Sequence, residues 1–447
     1  MPGEPVRVTT TGGRVDEDGG SVDVLETYES RVRYYCRRWP AVFARAEGAR
    51  LYDEDGREYL DFFAGAATLN YGHNPPELVE AVIDYLRSGG LVHGLDTATV
   101  AKREFVRALS DVVLAPRGLD YRIQFTGPTG TSAVEAALRV ARKATGRRRV
   151  VCLTGAYHGM TVDSITVSDI PGPAGLPTLD PAGVTRVPHE MDTPGTDHAL
   201  AALATALDGP DGAPAAFIVE TLQGEGGVRP LSARYLSEAQ ALCRRTGTVL
   251  IVDDIQAGGG RTGPFFSFES AGLRPDVVCL SKSISGLGLP LSLVLIGPEL
   301  DVWAPGEHSG TFRGNQLAFV TGALALRRWW RTEHLRREVE RKSALLAKEL
   351  SMLDAGGGCL AGPVRGRGLL LGLPCRSRAV ADQVARYAFE QGLLLETCGR
   401  DGEVLKLCPP LTVTDAELRR GVETLAGALR RAGDRHGAGQ VVAVRPG

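Results

Sequence analysis

The chain has 447 residues, enough for two or three domains around a large core, with 43% hydrophobic and 23% charged residues and a net charge of -2. That balance is that of an ordinary globular protein and argues against nucleic acid or a membrane as partner, because arginine-rich spots such as Arg147 to Arg149 and Arg336 to Arg341 are short or interleaved with acids, as solvated helix faces are. The 8 cysteines show no CxxC spacing, against both a disulfide framework and a structural zinc site, so no metal is expected.

The start, Met1 to Gly20, is polar and glycine-rich without a hydrophobic h-region, and no apolar run approaches the roughly 18 residues of a membrane span; a cytoplasmic protein is expected. Residues 1–22 and 435–447 lack apolar periodicity and read as disordered tails. LYDEDGREYLDFFAG (Leu51 to Gly65) carries the acid-glycine turn of a small hairpin. From there short apolar runs alternate with helical patterns: VVCLTG at Val150, AAFIVE at Ala215, TVLIVD at Thr248, DVVCLS at Asp276 and LSLVLIG at Leu291. That alternation predicts a mostly parallel sheet covered by helices, with helices over Ser132 to Ala144, Ala233 to Arg245 after a Ser232 N-cap, Gln316 to Trp330 and His334 to Leu350. After about Cys359 the runs RGRGLLLGLPC, GLLLETCG and EVLKLCPPLTV read as strands of a smaller α+β unit. The expected domains are 23–75 and 334–434, meeting as the smaller one, and 76–333 as the larger.

Four segments carry chemistry. FTGPTGTSAVEAALRVARK (Phe125 to Lys143) is a glycine-rich turn opening a helix, whose free N–H groups suit a phosphate. AYHGMT (Ala156 to Thr161) closes a strand with Tyr157, which can lie on a flat ring although an aromatic there is more often core packing, and with His158, the weaker candidate. VETLQGEGG (Val219 to Gly227) ends a strand with Glu220 and Glu225, either of which could instead be a structural ion-pair partner. Lys282, one of only six lysines, sits in the run VVCLSKSISG (Val277 to Gly286), twenty-nine positions after Asp253. Burial disfavours an ammonium and leaves a neutral amine competent for Schiff-base chemistry, and side-by-side strands would set Lys282 and Asp253 at opposite edges of one ring. Pyridoxal phosphate needs that pair, a lysine for its aldehyde and an acid for its ring nitrogen. GGGRTG (Gly258 to Gly263) matches GxGxxG, but it opens no helix directly and is not read as a dinucleotide site. GEHSGTFRGN (Gly306 to Asn315) is a further glycine-rich turn before a helix.

Together, in this order, these segments resemble the class III (omega) aminotransferases from about Val42 to Leu425. The resemblance implies pyridoxal phosphate as cofactor and fold type I, with a mostly parallel seven-stranded sheet and a smaller domain. It implies a homodimer with shared active sites, pairing into tetramers left open. It assigns Asp253 to the ring nitrogen, Gln256 to the ring hydroxyl, Lys282 to the aldehyde, Tyr157 to stacking, Gly130 and Thr131 to the phosphate, and Thr311 to the partner's phosphate. Lys406 and Glu225 take the substrate end. LDFFAG, LNYGH, DDIQAG, LSKSISG, GEHSGTFRGN and LKLCPPLT are most similar to the diaminobutyrate:2-oxoglutarate branch of the ectoine pathway, where Lys406 stands for the more usual arginine. Thr68, Ser132, Gly259, Leu287 and Ser292 depart from that branch and leave open another omega-amino acid or another reaction of the same cofactor, such as elimination, replacement or carbon–carbon bond formation.

Overall fold

The computed structural model describes residues 24–169, 183–353 and 358–440. They fall into two compact units, residues up to Val42 and residues from Phe43 on. In the first, the short helices Val24–Tyr28 and Tyr35–Arg38 flank a turn whose Arg33 pairs with Glu26 and Glu29. The predicted tail 1–22 lies outside the described residues. At the other end the closing helix Asp415–Gln440 runs on past residue 434, so 435–440 are helical where a tail was expected. A helix already nucleated extends for one hydrogen bond per residue, and the loss of apolar periodicity does not by itself stop it.

The second unit is built on a seven-stranded sheet. Its order is Arg122–Phe125, Leu293–Ile296, Val277–Leu280, Val249–Asp253, Ala216–Val219, Val150–Leu153 and Val184–Val187. Leu293–Ile296 runs antiparallel to both neighbours and the other pairings are parallel. Side chains of a strand alternate between faces, and here the alternation divides two cores. Cys152, Ile218, Ile251 and Cys279 point to one face, Val151, Phe217, Val252 and Val278 to the other. Both faces are buried, which is why these strands are unbroken apolar runs. The Gly130–Thr145 helix covers the first face with Ala133, Ala136, Ala137 and Ala141, small residues that let it lie close to the sheet. The Ala233–Thr246 helix starts where Ser232 accepts a hydrogen bond from the Tyr235 amide at 3.0 Å, the predicted cap.

Two four-stranded sheets lie outside this one. In the first, Phe43–Glu47, Arg50–Asp53 and Glu58–Asp61 form a meander, and Leu393–Leu394 adds to it in parallel, Leu393 against Leu60. Leu60 and Leu393, from the early and late parts of the chain, thus share one sheet. The second is antiparallel, in the order Arg365–Arg367, Leu370–Pro374, Val404–Leu407 and Glu396–Cys398. Among the described residues no helix is long and apolar enough to cross a membrane, and no cluster of His, Cys, Asp or Glu is placed to hold a metal ion. The eight cysteines are free thiols, with Cys152, Cys279 and Cys408 buried.

Candidate active site

Parallel strands deliver their carboxyl ends to one edge of the sheet, and ligands of open α/β sheets bind there. Tyr157 and His158 follow Val150–Leu153, Glu220 and Glu225 follow Ala216–Val219, Asp253 ends Val249–Asp253, and Lys282 follows Val277–Leu280. Register puts Asp253 opposite Cys279, three residues before Lys282.

Lys282 is held at φ 53, a left-handed conformation that costs a non-glycine residue on the order of 1–3 kcal/mol and marks functional sites more often than neutral ones. Among the described residues its amine makes no hydrogen bond or ion pair. Burial pulls its pKa below the ordinary lysine value, with Glu225 opposing and Lys406 assisting. Asp253 is buried, and its Oδ2 lies 2.7 Å from His158 Nδ1. Burial works against the imidazolium, but the hydrogen bond and charge of Asp253 outweigh it, so His158 sits above its ordinary pKa. The two Asp253 oxygens are both engaged, Oδ2 by His158 and Oδ1 by the Ile255 amide at 3.2 Å, which fixes the carboxyl group in place. The lone histidine was undervalued in the sequence because its partner comes from two strands away.

A cradle surrounds this pair. The Gly130–Thr145 helix starts without a side-chain cap from Thr129, leaving its first amides for an anion. A Cβ on Gly130 would lie 3.1 Å from Ile255 Cδ1, so any larger residue there would need Ile255, in the loop after Asp253, to give way by a few tenths of an ångström. Thr131 Oγ1 lies 2.7 Å from Thr161 Oγ1 and 2.6 Å from Ser164 Oγ. Gln256 Nε2 donates to Glu225 at 3.0 Å, whereas its buried Oε1 has no hydrogen-bond partner among the described residues; an unmet acceptor at this depth is the complement of a ligand hydroxyl. Tyr157 is partly buried, and its amide donates to Glu220 at 3.0 Å. Burial raises the Glu220 carboxyl to about 7. The partnerless amine, the carboxylate backed by histidine, the uncapped helix and the orphaned amide oxygen fit pyridoxal phosphate. Thr311 stands apart, exposed on the loop before the Gln316–Trp329 helix, its carbonyl accepting from His93 at 3.0 Å.

At the far end Lys406 is buried between two carboxylates, Glu225 and Glu396, the latter at 2.9 Å. Burial would lower the Lys406 pKa, but the two acids raise it well above the ordinary value, and Lys406 in turn holds Glu225 below the carboxylate range against its own burial. Glu396 had no motif to announce it. Of the departing positions, Ser292 is buried and its Oγ donates to the Gly127 carbonyl at 2.5 Å, tying the sheet to the turn before Gly130. Ser132 Oγ lies 3.1 Å from Thr129 Oγ1. A Cβ on Gly259 would lie 2.3 Å from Ser283 Oγ, next to Lys282. Thr68 and Leu69 crowd the backbone at Gly288, beside the partly buried Leu287.

Two further features frame the site. GGGRTG forms turns rather than a helix start, and its wholly buried Arg261 donates to the carbonyls of Leu369 and Pro409 and to Asn70 Oδ1. It is a packing staple. Ala64, Gly65, Ala66 and Ala67 all have φ between 47 and 72, a left-handed turn whose Ala66 carbonyl lies 3.4 Å from Gln256 Nε2; alanine composition carries no signal for it.

Residues 34–429 match the aminotransferase class-III family. The uncharacterised aminotransferase y4qG of Sinorhizobium fredii is 50% identical over 417 residues, 92% of each chain. The diaminobutyrate–2-oxoglutarate transaminase of Nocardia farcinica is 50% identical over 413 residues, 91% of this chain and 94% of its own. Among solved structures, the ornithine aminotransferase of Toxoplasma gondii superposes with a TM-score of 0.79 at 29% identity, covering 92% of this chain and 94% of that one.

Proposed function

The chain belongs to the class III aminotransferases and is a pyridoxal-phosphate-dependent transaminase of fold type I, and within that family we propose that it moves the amino group of L-glutamate to L-aspartate 4-semialdehyde, giving 2-oxoglutarate and L-2,4-diaminobutyrate. The observation that carries the chemistry is the partnerless, partly buried amine of Lys282 beside the Asp253–His158 pair. The substrates rest on the 50% identity with the Nocardia farcinica transaminase and on Lys406 in place of an arginine.

When bound, pyridoxal phosphate supplies an aldehyde that condenses with amines and a ring that withdraws electrons from the carbon losing its proton. In this reading Asp253 would face the ring nitrogen and hold its proton, and His158 keeps the Asp253 side chain in place. Lys282 Nζ, inclined to its neutral form, takes the proton from the amine-bearing carbon of the substrate. Gly130 and Thr131 receive the phosphate, Gln256 the ring hydroxyl, Tyr157 the ring face, and Glu225 and Lys406 the far end of the substrate. Residues 23–75 and 334–434 act as the smaller domain around 76–333. Exposed Leu91, Val92, Leu95, Val100 and Phe312 are the apolar surface expected of a homodimer contact, in which Thr311 serves the partner's site in the cytoplasm.

The test is a pair of half-reactions on the cofactor-loaded protein, with products identified by mass. Glutamate should yield 2-oxoglutarate, and the aminated protein should convert aspartate semialdehyde to 2,4-diaminobutyrate; failure of the second step with success of the first removes the acceptor and keeps the reaction class. The tight packing around Gly259 and Ser283, next to Lys282, favours as second reading a different omega-amino acid, which a panel of amino donors in the same assay separates.

A further inference from the structure

We propose that Glu396 is a specificity-determining residue that neutralises Lys406 permanently, leaving Glu225 as a surplus, movable anion that selects substrates bearing an ammonium at their non-reacting end. This rests on the reading of the Lys406 end as the substrate pocket.

Glu396 and Lys406 are directly opposed across the antiparallel strands Glu396–Cys398 and Val404–Leu407, both are buried, and their charged atoms are 2.9 Å apart. The ladder keeps the two residues opposite each other, and both side chains are enclosed, Lys406 at 0% and Glu396 at 4% exposure. Glu225 is placed differently. It lies on the turn after Ala216–Val219, its side chain keeps 23% exposure, and its Oε1 is shared between Lys406 and Gln256 Nε2. One ammonium between two carboxylates leaves one net negative charge, and Lys282 feels it, since Glu225 is the charge that most favours the Lys282 ammonium.

The consequence follows from what each group leaves behind. A lysine held by one mobile carboxylate would, once that carboxylate swung away, become a bare ammonium ready for a substrate carboxylate. Here the departure of Glu225 leaves an ion pair already closed by Glu396 and frees an anion into the pocket. The far end therefore prefers a diamino acid, with an ammonium beside its carboxylate, over a dicarboxylic amino acid.

Glutarate, a dicarboxylate with no amine to react, reads this preference without turnover. In calorimetric titrations of the cofactor-loaded protein, Glu396→Gln should bind glutarate about tenfold tighter than the wild type, Glu396→Asp should stay at wild-type affinity, and Glu396→Gln with Lys406→Met should lose the gain. Unchanged or weaker binding in Glu396→Gln, or the same gain in Glu396→Asp, overturns the proposal. Should Glu396→Gln fail to fold, Glu225→Gln removes the surplus charge from outside the strand pair and carries the same expectation and the same refutation. In the half-reactions, the ratio of kcat/KM for 2,4-diaminobutyrate over glutamate should fall about tenfold in Glu396→Gln, whereas an equal loss for both would make Glu396 merely structural and overturn the assignment. A wild type that transaminates neither amino acid defeats the proposed substrates, while the glutarate result still decides the role of Glu396.

Discussion

The candidate site sets Lys282 against Lys406 and Glu220 against Glu225, and in each pair one member is pushed toward its neutral form and the other held charged. Lys282, at the carboxyl edge of the large sheet, has no acceptor and its pKa falls, whereas Lys406, in the outer antiparallel sheet, lies between two carboxylates and its pKa rises. Glu220 is buried without a lysine or arginine and rises to about 7, whereas Glu225 faces Lys406 and falls. Glu220 and Lys406 are buried, and Lys282 and Glu225 are partly so. The difference teaches that burial alone does not decide the charge state of these groups; the partner does. It also divides labour, since a reacting amine must be free to lose its proton and an anchoring one must not.

Substitutions at the two lysines break the comparison most directly. Lys282→Ala should lower turnover by roughly 10³-fold or more, yet leave the stability of the cofactor-free protein unchanged or higher, because it removes an unpaired amine; retained turnover of glutamate, followed as 2-oxoglutarate, would refute the assignment. Lys406→Met should do the reverse to stability, stranding the buried carboxylate of Glu396 and the partly exposed one of Glu225 at a cost of about 3–5 kcal/mol, read from urea midpoints. A loss under about 1 kcal/mol would mean that the cluster is far wetter than described. His158→Asn removes a charge-assisted hydrogen bond worth about 1.5–3 kcal/mol and should slow the glutamate half-reaction by roughly tenfold or more with the cofactor still bound. If the rate is unmoved, Asp253 does not depend on its neighbour.

The smallest effect sharpens the glutamate half of the comparison. The folded-state pKa of Glu220, about 7, lies above the ordinary value of 4.5, so the folded chain binds this proton more tightly than the unfolded chain does. Its contribution to stability is whole below 4.5 and is lost as the pH climbs to about 7. Asp254, likewise raised to about 7 by burial, adds to the same slope. Glu220→Gln should flatten the fall in denaturation midpoint across that window; an unchanged slope would place the titration elsewhere.

Much of this was legible in the chain. Unbroken Val, Ile and Leu runs foretold the inner strands because both faces of the sheet are buried, and Ser232 foretold a helix start because its hydroxyl caps the Tyr235 amide. Lys282 and Asp253 stood out because a lysine and an aspartate at the ends of apolar strands need a reason to be there. The antiparallel run of Leu293–Ile296 was not legible, since an apolar strand buried on both faces reads alike in either direction. His158 was seen without its role, because its worth lies in a 2.7 Å contact across ninety-five positions. Glu396 was missed altogether.

By itself, then, the order of residues determined which segments become strands and helices, which amine is scarce, and which turn begins with glycine, since propensity, apolar periodicity and capping act over a few neighbouring positions. The tertiary structure decided which charges meet. Strand register set Glu396 against Lys406, and sheet order brought His158 to Asp253. Ionisation depends on distance and burial rather than on adjacency in the chain, so the protonation states on which the chemistry turns came into being only when the chain had folded.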